Sequence, residues 1–292
     1  MRKIKELVIE KSLLSSALIT IAVTIGIVLV LAIEAVQFFS EVALFDFLTD
    51  TQWTPLFTDK HYGILPLLSG TLLTSFIAIS VALPIGLSIS IYLSEYAPKS
   101  FRKTVKPLLE LLAAVPTVVY GFFALIVVTP FLQQIIPGLS GFNSLSAGFV
   151  MGIMIIPYIS SISEDALHAI PNALREASFG MGATKLQTAF KVVVPAASSG
   201  IIVSIILAIS RAIGETMIVA VAAGQQPRLT LDPTVPVETI TAYIVQVSLG
   251  DVEHGSVEYR TIFAAGITLF VFTFLLNTIS YRIRKKYQER YD

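Results

Sequence analysis

The sequence predicts an all-α polytopic membrane protein with six transmembrane helices and both termini cytoplasmic, and three observations predict it. Of 292 residues, 54% are hydrophobic and 14% charged, with a mean hydropathy of +0.79; a soluble domain is nearer a quarter charged. The apolar residues gather into six runs long enough to cross a bilayer. The basic residues sit between these runs, on one side. They are Arg2, Lys3, Lys5 and Lys11 before the first run, and Lys99, Arg102, Lys103 and Lys106 after the second. Arg175, Lys185 and Lys191 follow the fourth, and Arg282, Arg284, Lys285, Lys286 and Arg290 follow the sixth. Of 20 Lys and Arg, only Lys60, Arg228 and Arg260 are left for the opposite side, with Arg211 inside the membrane. Six spans bring all four basic segments to one face, and the positive-inside rule makes that face cytoplasmic.

The elements follow in order. The first run, 13–39, is too long for a signal-peptide core and no clean cleavage site follows it, so it reads as a first transmembrane helix. An external segment, 40–64, carries Trp53 and the acidic Glu41, Asp46, Asp50 and Asp59. The second run, 65–93, opens at Pro66 and contains Pro84 and Gly86. The third, 108–132, contains Pro116 and Gly121, and the fourth, 145–163, contains Pro157. Such prolines are tolerated because neighbouring helices satisfy the freed carbonyls. The fifth run is 196–222 and the sixth 259–283. Between them, in 223–258, Ile240, Tyr243, Ile244 and Val247 fall at helical spacing. They predict a short helix at the outer interface; a packed external loop is the alternative. The chain thus divides into 1–64 (amino-terminal segment, first helix and external loop), 65–283 (a five-helix core with a cytoplasmic loop at 164–195 and an external one at 223–258) and a cytoplasmic tail, 284–292.

Composition also excludes chemistry. With no cysteine there is no disulfide and no thiol catalysis. His61, His168 and His254 are far apart and form no HxxxH or HExxH pair, so no metal site is expected. No G-x-x-x-x-G-K-[ST] occurs, so ATP is not expected to bind here. Nothing suggests a nucleic-acid partner. No intramembrane nucleophile constellation points to an enzyme, and the expectation is a non-catalytic subunit without a cofactor of its own.

Residues 210–217 carry the sharpest signal. Arg211 and Glu215 lie within the fifth run, four residues apart and so on one helical face. A charge at the bilayer centre costs at least about 2.5–3.5 kcal/mol, so such residues usually mark a function. Arginine presents a permanently charged planar fork that matches an oxyanion. Ser210, Thr216, Thr74, Ser75, Thr117 and Tyr120 offer neutral partners along the same path. A structural ion pair pinning the fifth helix is the alternative for Arg211 and Glu215, and helix packing is the alternative for the hydroxyls.

The loop after the fourth run begins a short helix at Pro171 and Asn172 and stops it at Gly180 and Gly182. Here the chain resembles the permeases of binding-protein-dependent ABC importers. Their cytoplasmic pattern is Glu-Ala-Ala, three residues, Gly, nine residues, then two aliphatics flanking one residue, and Pro. It is met by Glu176, Ala177, Ser178, Gly182, Val192, Val194 and Pro195. The resemblance implies the type I importer permease (MetI-like) fold. It also implies a coupling helix docking into an ATP-binding subunit, with ATP and magnesium held by that partner.

Residues 110–122, 62–66 with Gly70 and Thr71, 91–98 and the Arg-Ala-Ile-Gly-Glu-Thr-Met string narrow the resemblance to phosphate-specific (Pst) permeases, of the PstC type. This implies a subunit of the bacterial plasma membrane that carries phosphate in. Its implied partners are a PstA-like second permease, two PstB-like ATP-binding subunits and a PstS-like extracytoplasmic phosphate-binding protein, within membrane lipid. A permease for another oxyanion, molybdate or sulfate, is an alternative, as is a stand-alone secondary transporter, although the latter has no need of a docking loop.

Overall fold

The computed structural model describes residues 2–287, with side chains over residues 6–282. The side chains of Arg2, Lys3, Lys5, Arg284, Lys285 and Lys286, and residues 288–292 of the expected tail, lie outside it. Among the described residues the regular structure is helical, apart from two isolated β-bridges, Trp53 with Tyr62 and Gly224 with Val237.

Helix α1 (Arg2–Glu41) crosses almost alone: none of the most apolar window of this span is buried. Its carboxyl half meets α12 (Val257–Tyr287), where Gly266 lets Leu31 approach and Arg260 reaches Glu34 and Glu41. Helix α2 (Leu44–Thr49) turns Phe47 into an outer cluster with Phe38, Trp53, Leu67 and Tyr243. Beyond it, His61 hydrogen-bonds Asp50 at 2.8 Å and closes the 50–63 loop.

The centre of the fold is the pairing of α3 (Leu65–Tyr96) with α6 (Ser144–His168). Without a hydrophobic drive between helices in lipid, close approach depends on small residues. A Cβ on Gly148 would lie 2.7 Å from Ile77 Cβ, and one on Gly152 2.8 Å from the Ala78 carbonyl oxygen. Gly152→Leu is therefore expected to cost about 1–3 kcal/mol by overpacking. The thermal midpoint of the purified chain should fall by roughly 2–4 °C per kcal/mol. Gly141→Ala, whose Cβ meets nothing within 4 Å, should leave it unchanged. Equal midpoints for the two variants would contradict this packing.

Three departures from the sequence reading concern helix ends. The third run does not begin a span at 108. Helix α4 (Lys99–Ala114) is amphipathic with no buried residue, and the chain breaks at Val115 and Pro116 before the spanning helix α5 (Thr117–Ile135). Glu110 belongs to α4. The predicted outer helix, α11 (Ile240–Leu249), is not laid on an interface: Ile240, Thr241, Ala242 and Tyr243 are buried. The fifth run is two helices, α9 (Ser198–Ile213) and α10 (Met217–Ala222), and α9 is bent by 71° from α8 (Lys185–Ala196). Six spans result when the bent pair counts as one.

Wide π-turns at 92–96, 124–128 and 189–193 each precede a proline by two residues: Pro98, Pro130 and Pro195. The residue before each proline donates its N–H five residues back, Ala97 to Tyr92, Thr129 to Ala124 and Val194 to Ala189. Proline lacks the N–H and its ring crowds the preceding turn, so widening that turn absorbs the misfit.

Candidate functional site

Arg211 and Glu215 lie at the break between α9 and α10. Gly214 follows the last residue of α9. Glu215 then turns its carboxylate onto the next helix: Oε1 accepts from the N–H groups of Met217 and Ile218 at 3.2 and 3.4 Å. A side chain that captures backbone donors in this way competes with continuation of the helix. Thr241 of α11 donates its hydroxyl to the Glu215 carbonyl at 2.6 Å, and Glu215 is 4% exposed.

Arg211 is held differently. Its closest carboxylate contact is Glu215 Oε2 at 4.0 Å, and its side chain is 39% exposed. Nη2 lies 3.7 Å from Met154 Sδ, the guanidinium carbon stands 5.5 Å above the Tyr158 ring, and Nε is buried without an acceptor. The pair is thus unequal. Glu215 is a fixed cap, whereas Arg211 is a half-exposed cation with spare donors. Sequence reasoning did not find Met154 and Tyr158. The signal available was only their four-residue spacing on an apolar helix, which does not distinguish them from core.

The other polar residues do not converge on Arg211. Ser210 points to Asn277 of α12 at 3.1 Å. The Thr216 hydroxyl donates to the Gly214 carbonyl. Thr74 is buried and bonds back to Gly70 at 2.8 Å; Ser75 is buried with no partner for its hydroxyl. Tyr120 donates to the Leu112 carbonyl at 2.8 Å, stapling α5 to α4 across the Pro116 break. Thr117 opens α5, the helix whose Gly121 packs on Met217 and Ile218 of α10.

At one end of the bundle, helix α7 (Asn172–Gly180) forms a projecting knob. It ends as the spacing predicts, with Gly182 at φ +82°. Glu176 and Ala177 are exposed, while Ser178 is buried and hydrogen-bonds Thr188 at 2.9 Å, tying α7 to α8. Pro195 is exposed near the end of α8. Phe179, Met181 and Leu186 are exposed apolar side chains on this knob, Met181 at 87%. Arg175 anchors it from behind. Its Nη2 and Nε meet both Glu95 oxygens, at 2.8 and 3.2 Å, and it donates to the Leu167 and Ile170 carbonyls at 2.9 and 2.6 Å. Next to it, Glu164 of α6, 1% exposed, is paired with Arg102 and Lys106 of α4. The basic residues of α4 and of the knob therefore share one end of the molecule.

Residues 82–291 match the family described as binding-protein-dependent transport system inner membrane component. A probable ABC transporter permease protein, YqgH, of Bacillus subtilis (strain 168) is 36% identical over 89% of this chain and 84% of its own length. The phosphate transport system permease protein PstC of Mesorhizobium japonicum is 36% identical over 81% of this chain and 77% of its own. Among solved structures, a bacterial alginate ABC transporter in complex with its pentasaccharide-bound periplasmic protein aligns with a TM-score of 0.59. The match has 19% identity and covers 87% of this chain and 88% of that one. The MetNI methionine ABC transporter aligns at 0.57 with 21% identity, over 78% and 95%.

Proposed function

The chain belongs to the binding-protein-dependent transport system inner membrane components, and from that premise we propose that it is the PstC-type permease subunit of an ATP-driven phosphate importer. It supplies half of the translocation path, and a PstA-like permease supplies the other half. It hydrolyses no ATP and holds no cofactor; two PstB-like subunits carry ATP and magnesium. A PstS-like protein delivers phosphate from outside. Both termini are assigned to the cytoplasm on the positive-inside rule, since six spans bring the four basic segments of the sequence to one side.

The observation that carries the site is the half-exposed Arg211 at a break in an intramembrane helix. A dianion leaving water needs charge compensation and replacement donors. A guanidinium with unused N–H groups supplies both, and it binds weakly enough to release its cargo when it is not part of a closed cage. Glu215, Thr216, Ser210, Thr117, Tyr120, Thr74 and Ser75 are the supporting set, of which Glu215 fixes the break and limits the loss of charge when the anion departs. At the other end, Glu176, Ala177, Ser178, Gly182 and Pro195 frame the coupling knob, with Phe179, Met181 and Leu186 as its apolar contact.

The complete transporter in proteoliposomes is expected to accumulate radiolabelled phosphate on ATP addition. Excess unlabelled phosphate should abolish the signal, and excess sulfate or molybdate should leave most of it. Suppression by sulfate or molybdate to the level reached with phosphate would reassign the cargo to another oxyanion.

A further inference from the structure

A second polar site lies at the opposite end of the molecule from the α7 knob, where three loop segments meet. We propose that this outer pocket receives the basic end of a lysine or arginine side chain, presented by the extracytoplasmic binding protein. The pocket has a volume of about 290 Å³, and its walls include Trp53, Phe57, Arg228, Glu238, Tyr243 and Gln246. The identity of the partner rests on the importer reading above; the chemistry of the pocket does not.

Glu238 makes the case. It is 2% exposed, and its Oε1 has no hydrogen-bond partner. Among the described residues no cation pairs with it. A buried carboxyl group with an unpartnered oxygen is costly even when protonated, and such groups in native proteins call for an explanation. Nor is Glu238 free to swing out. Its carbonyl is pressed against α3, where a Cβ on Gly70 would lie 2.2 Å away. On one side Val237 donates to Ala223 at 3.0 Å, and on the other the Ile240 N–H is held by Thr71 at 3.1 Å. Burial pushes the Glu238 carboxyl up to about 8. Arg228 and Tyr243 are the other ionisable groups lining the cavity.

The aromatic part of the lining favours a cation. Trp53 and Tyr243 meet edge to face at 5.0 Å, and Phe57 completes an aromatic lining. Aromatic faces attract ammonium and guanidinium groups, and more strongly away from water. A cation entering this pocket ionises Glu238, pairs with it and keeps its alkyl stem against apolar walls. Arg228, exposed at the rim, would draw an anion while Glu238 is protonated, so the cation competes best where Glu238 ionises.

Trp53 is the only tryptophan in the chain and lines the pocket, so its fluorescence reads this site alone. The full chain in detergent is titrated with n-butylammonium and n-butylguanidinium, and separately with inorganic phosphate. The cations should give a saturable change, weakened at least about tenfold by Glu238→Gln and retained by Glu238→Asp. Because binding ionises Glu238, whose carboxyl burial pushes up to about 8, the apparent affinity should be several-fold higher at pH 9 than at pH 7. No saturable cation response, an equal response in Glu238→Gln, or saturation by phosphate instead would overturn the site. With the assembled transporter, Glu238→Gln should weaken capture of the binding protein at least about tenfold; unchanged capture would overturn the assignment to that partner. The probe titration needs no transport, so it stands or falls independently of the importer reading.

Discussion

Replacing Arg175 with alanine is expected to lower ATP-driven import by the assembled transporter by roughly two orders of magnitude, with the chain still inserted and folded. Arg175 joins the α7 knob at once to the end of α3 and to the end of α6. It does so through both oxygens of Glu95 and through the Leu167 and Ile170 carbonyls. Glu95 is 6% exposed. Removing the guanidinium leaves the buried Glu95 carboxylate with the Ser94 hydroxyl but no countercharge and takes a charged donor from two carbonyls, a loss of about 3–5 kcal/mol for breaking a buried pair from one side. That energy is lost where a displacement of the knob must pass into the spanning helices. The consequence sought is therefore uncoupling: ATP hydrolysis continues while import fails. Glu95→Ala combined with Arg175→Ala should recover part of the loss, since no buried charge is then stranded. Import at the wild-type rate in Arg175→Ala would show that force reaches the membrane helices by another route.

This anchor matters because the path from the knob is not one stiff rod. From Ser198 to Ile213 the path is one helix, but α8, which connects it to the knob, meets it at 71°. A push on α7 is resolved at that corner, and Arg175 offers a second, direct connection to α3 and α6.

What could be read from the sequence and what could not divide along a physical line. Run lengths, charge bias and glycine stops are local, and they located the spans, the outer segments and the α7 knob. The breaks at Val115 and Gly214 are different. Each lies inside a longer apolar run, so run length does not register it. The Gly214 break is fixed by Glu215 turning to the Met217 and Ile218 N–H groups, and the Pro116 break is stapled by Tyr120 reaching Leu112. Likewise, Arg175 and Glu95 are 80 residues apart, so neither announces the other. Glu238 reads as an ordinary loop carboxylate until Gly70 and Thr71 close behind it.

Arg211→Ala is expected to reduce phosphate import about 10- to 100-fold, the loss of one charge-assisted hydrogen bond at about 1.5–3 kcal/mol. Assembly with the ATP-binding subunits should be untouched, because Arg211 makes no contact with the knob. Lysine at the same position should recover only part of the rate. It restores the charge but not the planar fork, so the rescue is expected in the apparent affinity at low salt and not in full. Glu215→Gln separates the two roles the pair could play. If the pair existed only to neutralise itself, removing the Glu215 charge would strand Arg211 and damage import as severely as Arg211→Ala does. The geometry predicts otherwise. The Glu215 side chain is spent on two N–H groups of α10, which an amide oxygen also satisfies, and its 4.0 Å separation from Arg211 is the limit of a contact. Import in Glu215→Gln should therefore stay well above that of Arg211→Ala, with phosphate released more slowly from a site one negative charge poorer. Normal phosphate accumulation with Arg211→Ala would remove Arg211 from the path.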